Sequence, residues 1–216
     1  MCWRMGVSIH YQGKLNDVSR IDDLQHELVD IAESMGWGHH VFDDDWSVPP
    51  NATLSVSNKG AEIKGHLGLK GVQLFPPGKS EPLSFLFSAD GCLRSLLGMI
   101  NAGDDEQSDA ASKIVSVKTQ FVDSSVHIWI TGLLKYLKRK YIYDLRVEDE
   151  GGYWESGDRG ELEARLEFLQ KKIDQLATGL SSAEFADCRE MSADEIADRI
   201  AEFVQKRFSS PDDKAE

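Results

Sequence analysis

Residues 114–155 alternate, then recur at helical spacing, then alternate again, and that succession restricts this chain more than any other stretch. Val115, Val117, Thr119 and Phe121 alternate with Ser116, Lys118 and Gln120, the period of a strand with one buried face. In such a strand Lys118 and Gln120 share the face opposite Val117 and Phe121. Asp123 or Ser124 is placed to accept hydrogen bonds from the first amides of a helix, and Val126, Ile130, Leu133, Leu134, Leu137 and Tyr141 follow at helical spacing over residues 126–141. Lys135, Lys138, Arg139 and Lys140 fall in its last turns, where the helix dipole favours cations, so the basic run has a local explanation. Tyr143, Leu145 and Val147 then alternate with Asp144, Arg146 and Glu148 as a returning strand. The stretch closes on a loop, 148–155, of carboxylates, paired glycines and aromatics.

The opening of the chain has the same order. Val7, Ile9 and Tyr11 alternate with Ser8, His10 and Gln12. Asp17 or Ser19 starts a helix through Ile21, Leu24, Leu28, Ile31 and Met35, Gly36 and Gly38 stop it, and residues 39–42 read as a short strand. This echo of 114–147 raises the expectation of a weak internal repeat. A strand meander lies between. Leu54 and Val56 mark a short strand, and Ala61, Ile63, Gly65, Leu67 and Leu69 alternate with mostly polar residues until Gly71 shifts the phase to Val72 and Leu74. Such a shift marks a bulge or sharp bend in one long ribbon. Pro76-Pro77-Gly78 and Asp90-Gly91 are turns around a strand carrying Leu83, Phe85 and Phe87. Residues 101–112 are acidic without large apolar side chains and form a loop between subdomains 1–100 and 113–208. Asp158 with Glu161 caps a helix striped by Leu162, Leu166, Leu169, Ile173 and Leu176, and Ser192 with Glu195 caps a last one through Ile196, Ile200, Phe203 and Val204. These elements predict one α+β domain over residues 1–216, with a mainly antiparallel, bent sheet of about six strands packed by three to four helices.

A hydrophobic fraction of 41% with 28% charged residues is that of a soluble globular protein. No apolar run approaches the length of a bilayer, and the first residues lack the apolar segment of a secretory signal, so the expected location is the cytoplasm, with no membrane partner. The net charge of −13 repels polyanions, which removes nucleic acid from the expected partners. Cys2, Cys92 and Cys188 show no CxxC spacing, against both a disulfide framework and a zinc knuckle. The sequence has no GxSxG, HExxH, P-loop or dinucleotide fingerprint, and no cofactor is implied.

The richest candidate site is the loop 148–155. Glu148 and Glu155 flank glycines that free the backbone, and Tyr153 and Trp154 offer rings to a ligand, with Gln120 as a further binding candidate. An acidic turn whose aromatics cover the core edge accounts for the same residues. His10, Lys118, His127 and Glu150 are the candidates for acid and base work, provided that the strands bearing His10 and Lys118 are neighbours. A solvated sheet face is the competing account. His39 and His40 with Asp43, Asp44 and Asp45 are metal-ligand types at a generic spacing, adjacent histidines on a strand point to opposite faces, and no metal is assigned.

Three pieces of the central stretch carry a resemblance. Lys118-Thr119-Gln120-Phe121, then His127 with Leu133-Leu134-Lys135-Tyr136-Leu137, then Asp149-Glu150-Gly151-Gly152-Tyr153-Trp154-Glu155 resemble a group of uncharacterised bacterial proteins. The resemblance covers about a fifth of the chain, implies a bacterial intracellular protein and brings no activity with it. The expected function is therefore that of a non-catalytic binding or interaction protein with a protein or small-molecule partner. The alternative is a hydrolase with a divalent metal on Glu148, Glu150 and Glu155 and with His10 or His127 as base.

Overall fold

The computed structural model describes residues 7–57, 60–101 and 112–180 together with Ser192, Glu195 and Asp198. The chain divides into two compact units, Met1–Leu166 and Glu167–Glu216. Strands and helices occur as an α+β arrangement with every ladder antiparallel. β1 (Ser8–Gln12) buries Ile9 and Tyr11 and turns Ser8, His10 and Gln12 the other way. Asp17 caps a short 3-10 turn through the Ser19 amide, α1 (Ile21–Met35) follows, and Gly36 ends it in the left-handed conformation that glycine adopts without strain. β2 (Gly38–Asp43), a hairpin of β3 (Thr53–Ser57) and β4 (Gly60–Lys64), β5 (Lys70–Phe75) and β6 (Leu83–Phe87) come next. α2 (Leu96–Asn101), β7 (Val115–Lys118), α3 (Ser124–Lys140), β8 (Arg146–Asp149), the single turn α4 (Tyr153–Ser156) and α5 (Arg159–Leu180) complete the described elements.

The six core strands are divided between two three-stranded sheets, ordered β7-β1-β8 and β2-β5-β6, while β3 and β4 pair only with each other. The long ribbon expected over residues 61–74 does not form. Gly65 at φ +100° and Gly68 at φ +70° turn the chain out of β4 before β5 begins, so two sheets share what the pattern assigned to one strand. The expected repeat also fails geometrically: β1 and β2 lie in different sheets, whereas β7 and β8 flank β1 in one. Two more boundaries move. β7 stops at Lys118, with the Thr119 amide making a last bond to the Val7 carbonyl, and Gln120 lies in a turn and Phe121 is 47% exposed because Asp123 already caps α3. The returning strand starts at Arg146, since residues 141–145 form a turn with Ile142 and Leu145 buried and Tyr143 exposed.

The two three-stranded sheets meet at Tyr11. Its hydroxyl donates to the Ser84 carbonyl at 2.7 Å and accepts from the Ser84 amide at 3.1 Å, and its ring lies 5.7 Å from that of Phe85. Complete burial raises the Tyr11 hydroxyl pKa well above its ordinary value, so it stays a neutral donor. α1 packs Leu24 and Leu28 into the same core as Val72, Leu74 and Phe85. Glu27 of α1 takes Lys140 Nζ on both oxygens at 2.8 Å and the hydroxyls of Tyr136 and Tyr141, which ties α1 to the end of α3. Burial alone would raise the Glu27 carboxyl, but these hydrogen bonds outweigh it and hold it below its usual range. Lys140 of the basic run of α3 is thus used within the fold. In α5 Leu162 is buried and Leu166, Leu169 and Ile173 are half-buried. The Ser192 and Glu195 capping pair forms, while the apolar positions of that last helix and the acidic loop 102–111 lie outside the described residues. Among the described residues no helix is long and apolar enough to cross a membrane.

Gly71 carries the closest backbone approach. Its φ is +139°, and a Cβ there would stand 1.9 Å from the Phe85 carbonyl oxygen of β6. Gly71→Ala is expected to destabilise the protein by about 3 kcal/mol or more, because β5 and β6 must separate and the new residue is strained. Urea unfolding measures this, and a loss within error of zero contradicts the packing described.

Candidate functional site

Parity decides which groups of the central segment meet. Val115 and Val117 point into the core, and Thr119, two residues further on, keeps that direction although the ladder has ended. Val147 and Asp149 share the inner face of β8 in the same way, and His127 stands one turn before Ile130 on the buried side of α3. The three polar side chains converge. His127 Nδ1 lies 2.7 Å from Thr119 Oγ1, and His127 Nε2 lies 3.1 Å from Asp149 Oδ2. The side chains of His127 and Asp149 are both 0% exposed.

The carboxylate is held by three donors. Asp149 Oδ1 accepts from the Gly151 amide at 2.7 Å, and Oδ2 accepts from the Trp154 amide at 2.8 Å as well as from His127. Burial by itself would raise the Asp149 carboxyl, but the bond and charge of His127 and the Trp154 and Gly151 amides outweigh it and hold it below the usual range. An ionised Asp149 only accepts, so Nε2 carries a hydrogen, while Nδ1 is hydrogen-bonded to Thr119 Oγ1, whose hydroxyl also lies 3.4 Å from the Val7 carbonyl oxygen. Gly151 makes the turn fit: a Cβ there would come within 2.7 Å of Leu162 Cδ1 and 2.9 Å of His127 Cε1. Hydroxyl, imidazole and carboxylate are the residue types of a nucleophile, its base and its orienting acid. Here Thr119 and His127 are wholly enclosed. Their hydrogen bonds join the end of β7, α3, β8 and α4 at one point.

The opposite face of the β7-β1-β8 sheet holds a second constellation. Registers Ser8↔Lys118, His10↔Ser116 and His10↔Glu148 align Lys118, Ser116, His10 and Glu148 on one surface, and Glu150 follows just past β8. His10 Nδ1 lies 2.6 Å from Ser116 Oγ, and His10 Nε2 lies 3.7 Å from Glu150 Oε1, with side chains 31% and 12% exposed. The short distance to Ser116 has a cause in the ladder. Thr119 donates to Val7, so odd residues of β1 exchange hydrogen bonds with β7, and His10 and Ser116 form the non-bonded pair whose side chains stand closest. Glu150 Oε2 accepts from the Ser8 amide at 2.9 Å, which fixes the carboxylate beside His10. Lys118 Nζ lies 5.6 Å from the centre of the Phe121 ring.

The residues singled out by sequence therefore separate. His10, Lys118, Glu148 and Glu150 share the outer face, whereas His127 is buried on the inner side and does not join His10. Gln120 leaves the face of Lys118, because the strand ends first. It is 7% exposed, and its Oε1 has no hydrogen-bond partner among the described residues. Trp154 is half-buried against the core with Lys135 and Lys138 Nζ at 5.3 and 5.9 Å from its ring centre, and Tyr153 and Glu155 stand beside it in α4. Asp43 pairs with Lys70 at 2.7 Å, Asp44 accepts from the Leu67 and Leu69 amides, and Asp45 caps Ser47, so the three aspartates act separately. Among the described residues no three His, Cys, Asp or Glu side chains gather as a cation would require. Sequence reasoning missed Thr119, Asp149 and Ser116 as partners of the two histidines. No family model, curated protein or solved structure matches this chain.

Asp149→Asn replaces an acceptor that serves three donors with an amide that serves fewer, so a loss of about 3 kcal/mol is expected at pH 7. The folded pKa of Asp149 lies below its unfolded one, so its contribution is complete above about pH 4 and fades as pH falls through the folded value. Denaturant titrations from pH 7 downward should show a smaller acid-side loss in the variant than in the wild type. Equal slopes contradict the buried, ionised carboxylate.

Proposed function

We propose that this chain is a non-catalytic binding protein and that the outer face of the β7-β1-β8 sheet receives its partner. The observation that carries the reading is the division between the two constellations. The ordered hydroxyl, imidazole and carboxylate of Thr119, His127 and Asp149 are enclosed and serve the fold. The partly exposed groups, His10, Ser116, Lys118 and Glu148 with Glu150, stand in rows on strand faces and present donors and acceptors of both signs. Such a face suits polar recognition of a protein or small molecule, with the ladder holding the side chains in register.

A hydrolytic reading is favoured by one observation, the sequence Ser116 Oγ, His10, Glu150 Oε1 at 2.6 and 3.7 Å. The two readings separate in one set of measurements on wild type, Ser116→Ala and a Lys118→Glu variant. Binding predicts that a ligand or protein found by thermal-shift screening or pull-down is lost from Lys118→Glu, with the unliganded melting temperature unchanged. It also predicts no turnover of a chromogenic ester panel. Ester turnover that disappears in Ser116→Ala overturns the binding reading.

A further inference from the structure

Among the described residues β2 is an edge strand: β5 pairs with it on one side, and no other described strand of the sheet lies beyond it. The register with β5 shows which groups it leaves over. Asp44 donates to Leu69, continuing the pairs Phe42↔Gly71 and His40↔Gln73, so the even residues exchange bonds with β5. The amides and carbonyls of His39, Val41 and Asp43 therefore point away from the sheet. Among the described residues the middle of β2 carries neither a proline nor a charged side chain to protect such an edge. It is six residues long with no proline, and Val41 at its middle is 42% exposed.

We propose that β2 is the seam of a homodimer, pairing antiparallel with β2 of a second copy about a two-fold axis at Val41. The argument for a second copy is that this strand is complementary to itself in that register. Residues whose numbers sum to that of the axis pair meet, so His39 faces Asp43 of the partner copy and Asp43 faces its His39. The outward amides and carbonyls of positions 39, 41 and 43 then meet one another in hydrogen-bonded rungs. Val41 meets Val41 and loses its exposure. On the other face His40 meets Phe42 of the second copy, twice, extending the edge-on pair that these rings already make at 4.7 Å within one chain. Lys70 occupies Asp43 Oδ1 at 2.7 Å, and the Asp43 side chain is still 66% exposed, so the carboxylate is accessible to the incoming imidazole. The two sheets join as β6-β5-β2 against β2-β5-β6, a six-stranded sheet formed by edge addition.

Light scattering on the full chain after size exclusion reads this directly. The wild type should run as a dimer at about 100 µM and dissociate on dilution. Val41→Lys sets two cations face to face and should raise the dissociation constant about tenfold or more, whereas Val48→Lys, at another exposed valine, should not. The register is tested by charge reversal. His39→Asp and Asp43→His chains should each dimerise poorly alone and form a heterodimer when mixed, since every rung then again joins an acid to an imidazole. A monomeric wild type at that concentration, a Val41→Lys dimer of unchanged affinity, or no gain on mixing overturns the proposal.

Discussion

A charged carboxylate placed on the inner face of β8 has no water to turn to, so the protein must supply its solvation. Asp149 obtains it from the Gly151 and Trp154 amides and from His127, and each donor belongs to a different piece of local structure. The turn through Gly151 and Gly152, the start of α4 and the first turn of α3 are therefore arranged around one group. Thr119 extends the chain of contacts to the end of β7. Removing any donor leaves a buried charge short of partners, which costs several times the net worth of an ordinary hydrogen bond. The segment that reads as an acidic surface loop is in this sense half interior.

That division was partly legible beforehand. The strands at Ser8–Gln12 and Leu83–Phe87, the helix Ile21–Met35 and its stop at Gly36 follow from alternation, helical spacing and glycine, and they are found. The partnership of Asp149 was also written in the alternation, because Leu145, Val147 and Asp149 have one parity and a carboxylate on a core parity demands donors. Thr119 follows Val115 and Val117 in the same way. The composition of the loop, as opposed to its phase, points to Glu148, Glu155 and the half-buried rings of Tyr153 and Trp154. What alternation does not carry is which strands become neighbours. The pairing of His10 with Ser116 depends on β7 lying beside β1, a matter of topology over more than a hundred residues. The break of the expected ribbon at Gly65 and Gly68 likewise depends on positive φ values that any glycine permits and none announces.

The basic end of α3 shows how a surface signal becomes structural. Lys140 enters the cluster of Glu27, Tyr136 and Tyr141, Lys138 donates to the Leu145 carbonyl at 2.7 Å, and Lys135 and Lys138 lie over Trp154. The cations thus hold α1, the turn after α3 and the cover of the Asp149 network. An acidic protein spends its few clustered positive charges on its own interior contacts, and its polar sheet face remains of mixed sign.

The order of the β7-β1-β8 sheet also has a meaning in time. β1 is synthesised before both of its neighbours and is the middle strand, yet its contacts lie 106 residues ahead at Ser116 and 142 ahead at Glu150. At a ribosomal rate of about ten residues per second, both edges of β1 wait on the order of ten seconds for their partners. During that interval Ile9 and Tyr11 are apolar side chains on an unpaired strand, a template for intermolecular pairing. The fold thus leaves its central strand exposed to aggregation for as long as both of its neighbours are still to be made.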